Sequence, residues 1–405
     1  MSAIALFYSA FTQEKEIREQ LAAVSGYEVV QDADIIDKVC SDYQFAREKV
    51  ERAMYEPPSV FNKFTHEREN IRACLKLVMA DRMSSKGIIF SGFVTHLIPP
   101  AVTHILKVGI FDEKTNRIHR AVEEGVSEKN AIKLIKKNDT SAGDWVNFLH
   151  GKLANDHDLY DIFCPVGSKT PGEAVQLIME NYRKPAVMET DESLQAVADL
   201  AIGARVELAL LSKGYATEVR CSNAKVVLQV NKSVHSFAKL TDTLSSIAGQ
   251  VDGVEQVEVI TGKEYHVSIY RDQEFTLPPK VLLVDDEQEF VQTLSDRLNT
   301  RSYGSYPLFD GEQAMDFLAN ETPDVMVLDL KMPGMQGVEV LKKTKEAKPE
   351  IEVIILTGHG SEQDKKICLE LGAYAYLQKP VDIVQLTAII DEAYKKVAAA
   401  KMAQA

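Results

Sequence analysis

Four short stretches in the last third of the sequence end on side chains that could do chemistry. "VLLVDD" (281–286) ends on Asp285 and Asp286, and "VMVLD" (325–329) on Asp329. "VIILT" (353–357) ends on Thr357 and "AYLQK" (375–379) on Lys379. Short, nearly continuous apolar runs of this kind are typical of buried parallel strands, so each polar group should stand at a strand end. Three carboxylates gathered there repel one another unless a divalent cation sits among them, and oxygen-rich ligation with room for water suits Mg²⁺. Singly, each feature is ordinary. An Asp pair commonly caps a turn or helix, Lys-Pro is a common turn, and Thr-Gly can merely end a strand.

The elements that would position these groups are helical stretches between the runs: "FVQTLSDRL", "EQAMDFLA", "GVEVLKKTKE" and "EQDKKICLELG". Strand and helix in alternation predict a doubly wound α/β sheet, whose functional groups gather at the carboxyl ends of the strands.

Together, "LLVDDE", "VLDLKMPGMQG", "IILTGHGS" and "GAYAYLQKP" make residues 279–400 resemble the receiver domain of two-component response regulators. The resemblance implies a flavodoxin-like (βα)5 fold with strand order 2-1-3-4-5. It also implies that Asp329 accepts a phosphoryl group. Asp286, Asp329 and the backbone carbonyl of Lys331 would hold Mg²⁺, with Asp285 acting through water. Thr357 and Lys379 would contact phosphoryl oxygens, and Tyr376 would be the switch aromatic. The implied partners are a sensor histidine kinase or other phosphodonor and a downstream protein. No helix-turn-helix follows the receiver, so DNA is not an expected partner.

The rest of the chain bounds what is switched. The formal charge of −14 disfavours a broad nucleic-acid surface. Five scattered cysteines without a CxxC pair suit reduced thiols. With no signal peptide and no membrane-length apolar run, a cytoplasmic protein is expected, and membrane contact is not. Breaks at "RKPAVMETDESLQ" (183–195) and at Pro278-Pro279 divide the chain into segments 1–185, 190–275 and 279–400.

In the first segment, "ALFYSAFTQEKEIREQLA" has the strand–turn–helix context of a phosphate loop but no glycine in its turn. Asp32, "VGIF" followed by Arg117 and Arg120, "EEGVSEKNAIKLIKKND" and "LYDIFC" resemble the cytidylate-kinase-like family. That family implies a three-layer α/β/α fold of the P-loop kinase type. The departures fall on the chemistry: Phe11, Thr12, Gln13 and Glu14 stand where glycines would let backbone approach phosphate. Ala142 stands where an arginine is expected, and "FSGF" keeps one glycine. The segment is therefore expected to be a degenerate kinase serving as scaffold or ligand sensor. Arg117 and Arg120 are candidates for gripping an anion or nucleotide, against a plain reading as exposed helix arginines. His96, His104, His119 and His150 lack metal-ligand spacing, and Trp145 is expected to be packed.

The middle segment reads helix, strand, strand, helix, strand and, with "VDGVEQVEV" near its end, resembles the BON domain, which implies binding to lipid or partner surfaces. Without an exposed aromatic or basic motif, protein contact or spacing is expected over membrane binding. Two further functions stay open on this sequence: a phosphorylation-regulated nucleoside monophosphate kinase, and a phosphorelay intermediate. Homodimerisation is also left open.

Overall fold

The computed structural model describes residues 3–231, 237–262, 279–301, 303–358 and 360–404. Pro278 and residues 263–275 of the middle segment lie outside the described residues. The chain forms two compact units, one of Met1–Pro58 with His66–Asp272, the other of Ser59–Thr65 with Gln273–Ala405.

The first unit is built on five parallel strands: β1 (Ala3–Tyr8), β2 (Glu28–Gln31), β3 (Ile88–Ser91), β4 (Ile105–Phe111) and β5 (Ile162–Pro165). They lie in the order β2-β3-β1-β4-β5. Alternate residues of β1 face opposite cores, as the strand pleat requires. Ala5 and Phe7 join Ile36, Met54, Leu75 and Trp145 on one side. Ile4 and Leu6 join Ile17, Leu21 and Ile178 on the other. This is the expected three-layer α/β/α arrangement.

A second, smaller sheet comprises β6 (Glu218–Ser222), β7 (Lys225–Val230) and β8 (Gln256–Thr261), antiparallel then parallel. Val226, Leu228 and Val230 are buried, as their alternation predicts. Asn223 and Ala224, at the hairpin turn, both have left-handed backbone conformations. The Asp199 carboxylate accepts their backbone N–H groups at 2.7 and 2.9 Å. Asp199 lies on the helix Asp191–Leu211, which packs along the helix Glu67–Met83. Buried Glu207 is paired there with Arg72 and, at 3.3 Å, with Lys76. This ion triad and the apolar contacts around it place residues 191–262 in the first unit.

In the second unit the strands are β9 (Lys280–Val284), β10 (Gly304–Leu308), β11 (Val325–Leu328), β12 (Glu352–Thr357) and β13 (Ala375–Gln378). All pairs are parallel and the order is β10-β9-β11-β12-β13. In chain order that is 2-1-3-4-5, as expected. Both faces are covered: Leu282 and Val284 enter one core, Val281 and Leu283 the other. Among the described residues no helix is long and apolar enough to cross a membrane.

Candidate functional site

Backbone hydrogen bonds carry the second unit's strand order past the strand ends, and this brings the polar groups together. Asp285 N–H donates to Leu308 O, Asp329 N–H to Val284 O, and Lys379 N–H to Thr357 O. Asp285 and Asp329 are 4% and 5% exposed and Thr357 is fully buried. The Lys379 ammonium lies 2.6 Å from Asp285 Oδ2, 2.9 Å from Glu287 Oε1 and 3.6 Å from Asp329 Oδ1. It also sits 4.5 Å from the centre of the Phe290 ring. Burial acts to lower the Lys379 pKa, but its hydrogen bonds to Asp285 and Glu287 and the nearby carboxylate charges outweigh that and hold it above the ordinary lysine value. Lys379 is therefore a fixed cation between two buried carboxylates.

The other Asp329 oxygen accepts the Lys331 N–H at 2.7 Å. Asp286 is exposed beside this cluster. Among the described residues no three acidic, His or Cys side chains converge as a ready-made metal cage. Two buried carboxylates and the nearby Lys331 carbonyl are nonetheless an all-oxygen donor set that fits Mg²⁺ completed by water.

Tyr376 pairs with Ile355 in the sheet and turns its hydroxyl inward over Gly360, where a Cβ would collide with it. That hydroxyl is buried with no hydrogen-bond partner among the described residues, and burial raises its pKa. Glu287, the third carboxylate at Lys379, was not singled out by sequence reasoning. Its signal was present as the last residue of "LLVDDE".

A model of the response regulator receiver domain matches residues 281–391. A receiver domain from Clostridium thermocellum is 31% identical, covering 29% of this chain and 95% of that one, at a TM-score of 0.28. Over residues 281–391 the chain carries a response regulator receiver domain. A Francisella receiver domain is 30% identical, covering 29% of this chain and 98% of that one, at a TM-score of 0.28. A CheY-like receiver domain protein from Methanospirillum hungatei is 26% identical, covering 30% and 97%, at a TM-score of 0.29. Residues 4–165 match the cytidylate kinase-like family.

In the first unit, the glycine-free turn is filled by its own chain. Phe11 and Gln13 adopt left-handed conformations at φ 62° and 60°. Ala10 N–H donates to Asn138 Oδ1 at 2.9 Å and Thr12 N–H to Glu14 Oε2 at 2.8 Å. Arg117 donates to Ala10 O at 2.7 Å and forks onto both Asp139 oxygens at 3.1 and 2.7 Å. Arg120 donates to Phe11 O at 3.1 Å and pairs with Asp112 at 2.5 Å. Both arginines therefore stand at the turn, facing carbonyls and carboxylates of the same chain.

Asp32 is enclosed nearby, accepting from Tyr55 Oη and from the N–H groups of Phe93 and Val94 at 2.9–3.0 Å. Burial raises its carboxyl pKa against those three donors. Trp145 is packed and donates to Phe93 O at 3.0 Å. His96 is buried and pushed down to about 3 by desolvation and by His150.

A cleft of about 490 Å³ lies beside the helix Asp191–Leu211, lined by residues including Lys76, Gln195, Asp199 and Cys221. Its chief charged groups are already engaged, Asp199 by the hairpin and Lys76 by Glu207.

Proposed function

We propose that Asp329 is the phosphoacceptor of this two-component response regulator. A carboxylate oxygen of Asp329 forms the new P–O bond while the bond from phosphorus to the donor's histidine nitrogen, or to a small donor's leaving oxygen, breaks. Supporting the assignment above all is Lys379, which bridges Asp285 and Asp329 and can move to a phosphoryl oxygen without crossing the site. Thr357 is suited to hold a second phosphoryl oxygen. Asp286, Asp329 and the Lys331 carbonyl would hold Mg²⁺, with Asp285 acting through water; bound there, Mg²⁺ neutralises equatorial oxygens in the transition state.

The phosphoryl group adds about 1.5–2 negative charges where Lys379 now balances two carboxylates. Tyr376 already points at Gly360 with the Thr357 methyl close by, so drawing Thr357 toward the phosphoryl group would loosen the packing around the Tyr376 ring, which supports Tyr376 as the switch.

Output by protein contact, rather than through DNA, is the reading we favour. The first unit then serves as a degenerate kinase scaffold, and the BON-like segment as part of its interaction surface. The test uses the full chain, acetyl phosphate and Mg²⁺, read by intact mass. The wild type should gain one phosphoryl group and Asp329→Asn none. Labelling of Asp329→Asn to the wild-type stoichiometry would overturn the assignment.

A further inference from the structure

The second compact unit contains seven residues from far upstream, Ser59–Thr65. In sequence they follow Pro57-Pro58 and precede the helix that begins at Glu67. Two prolines fix the chain direction and offer no N–H to neighbouring structure. A single helical turn, Asn62–Thr65, follows, and Phe61 just before it is 1% exposed.

The receiver face that buries Phe61 is specific. Its ring meets Phe317 edge-on, centroids 6.0 Å apart at 86°, and Phe317 in turn stacks on Tyr306 at 5.3 Å. Lys280 Nζ lies 5.9 Å from the Phe61 centroid. Ser59 Oγ donates to Glu321 at 3.0 Å. The Phe64 ring lies against Gly304, where a Cβ would come within 2.8 Å of it. Apolar burial, aromatic geometry and a polar anchor agree at one place.

The seat is also tied to the loop that follows Asp329. Phe317 is on the helix Gly311–Asn320. In that helix's first turn, Glu312 accepts the Met335 N–H at 3.0 Å, and Gly311 lies directly against the Met335 carbonyl.

We propose that Ser59–Thr65 is an intramolecular clasp on the receiver domain, and that its grip on the helix Gly311–Asn320 sets how readily Asp329 is phosphorylated. The clasp part stands on the contacts alone, whereas the control part rests on Asp329 being the acceptor.

Two substitutions made together in the full chain, Ser59→Cys and Glu321→Cys, test both parts. Mild oxidation should give a disulfide within one chain, identified by peptide mapping, and Phe61→Ala or Gly304→Ala added to the pair should lower its yield. The acetyl phosphate labelling rate should then differ at least threefold between the oxidised and reduced forms. Failure to crosslink, or crosslinks only between chains, overturns the clasp. A crosslink with equal labelling rates overturns its control of Asp329. If neither form nor the wild type is labelled, the acceptor assignment and the control resting on it both fall, and the crosslink still decides the clasp.

Discussion

At the scale of single residues, Lys379 decides whether two buried carboxylates can coexist. Its raised pKa gives the sign of its effect. The stability contributed by a group whose folded pKa is raised is complete below the unfolded value, about 10.4 for lysine, and is lost as pH rises through the folded value. The wild type should therefore show no loss from this group between pH 5 and 8. In Lys379→Ala, Asp285, whose carboxyl pKa is already raised by burial, loses the lysine hydrogen bond and charge that hold it down, so it rises further. The contribution of a carboxyl whose folded pKa is raised is complete below its unfolded value and lost as pH rises through the raised one. The Tm gap between wild type and Lys379→Ala should widen from pH 5 to pH 8, and millimolar Mg²⁺ should narrow it through binding linkage. A gap that stays constant with pH would show that the carboxylates do not depend on the lysine.

Tyr376 presents the opposite case. Its hydroxyl is buried with no partner among the described residues, so Tyr376→Phe removes a polar group that forms no bond with them. Thermal unfolding should place the variant within about 0.5 kcal/mol of wild type or above it. A loss of more than about 1 kcal/mol would mean that the hydroxyl has a partner in solution.

At the scale of elements, the receiver was legible because its strands are continuous apolar runs and each functional group directly follows one. Asp285, Asp329, Thr357 and Lys379 need only the parallel order to meet, and that order follows from alternating strand and helix. The turn at residues 9–13 was legible only in the negative, as a place without glycine. Apart from Glu14, what fills it comes from residues far along the sequence. Asn138 and Asp139 belong to the helix Glu128–His150, and Asp112 follows β4. No local pattern marks such partners, since an Asn-Asp pair inside a charged helix reads as a solvated face. The clasp was missed for the same reason, its aromatic partners being supplied by a distant segment.

The brace at that turn has a measurable consequence. Arg117 is buried while its partner Asp139 is nearly half exposed, so the ion pair itself contributes modestly. The bond to Ala10 O is the part that water replaces poorly. Arg117→Ala should lower unfolding stability by roughly 2 kcal/mol in urea titration, with Asp329 labelling unchanged. A variant as stable as wild type would show that the turn holds its shape without the arginine.

At the scale of the whole molecule, the chain passes between its two compact units at three places, after Pro58, after Thr65 and after Asp272. The remaining question is whether nucleotide is one of the signals that reach the receiver. A micromolar ligand needs about 8 kcal/mol of binding free energy, and in a phosphate loop much of it comes from backbone N–H groups and arginines aimed at phosphate. Here Ala10 and Thr12 donate to Asn138 and Glu14, while Arg117 and Arg120 pair with Asp139 and Asp112. A phosphate would have to displace all four, and a binding-competent state that is rarely populated lowers apparent affinity by its population. Glu14 would also stand against the incoming charge. Calorimetric titration of the full chain with ATP, CMP and Mg²⁺, singly and together, should therefore give no binding heat up to millimolar nucleotide. Micromolar binding would mean that the turn opens at little cost, making Arg117 and Arg120 ligand-binding groups. Turnover of ATP with CMP would then have to be measured with Asp329 phosphorylated and unphosphorylated.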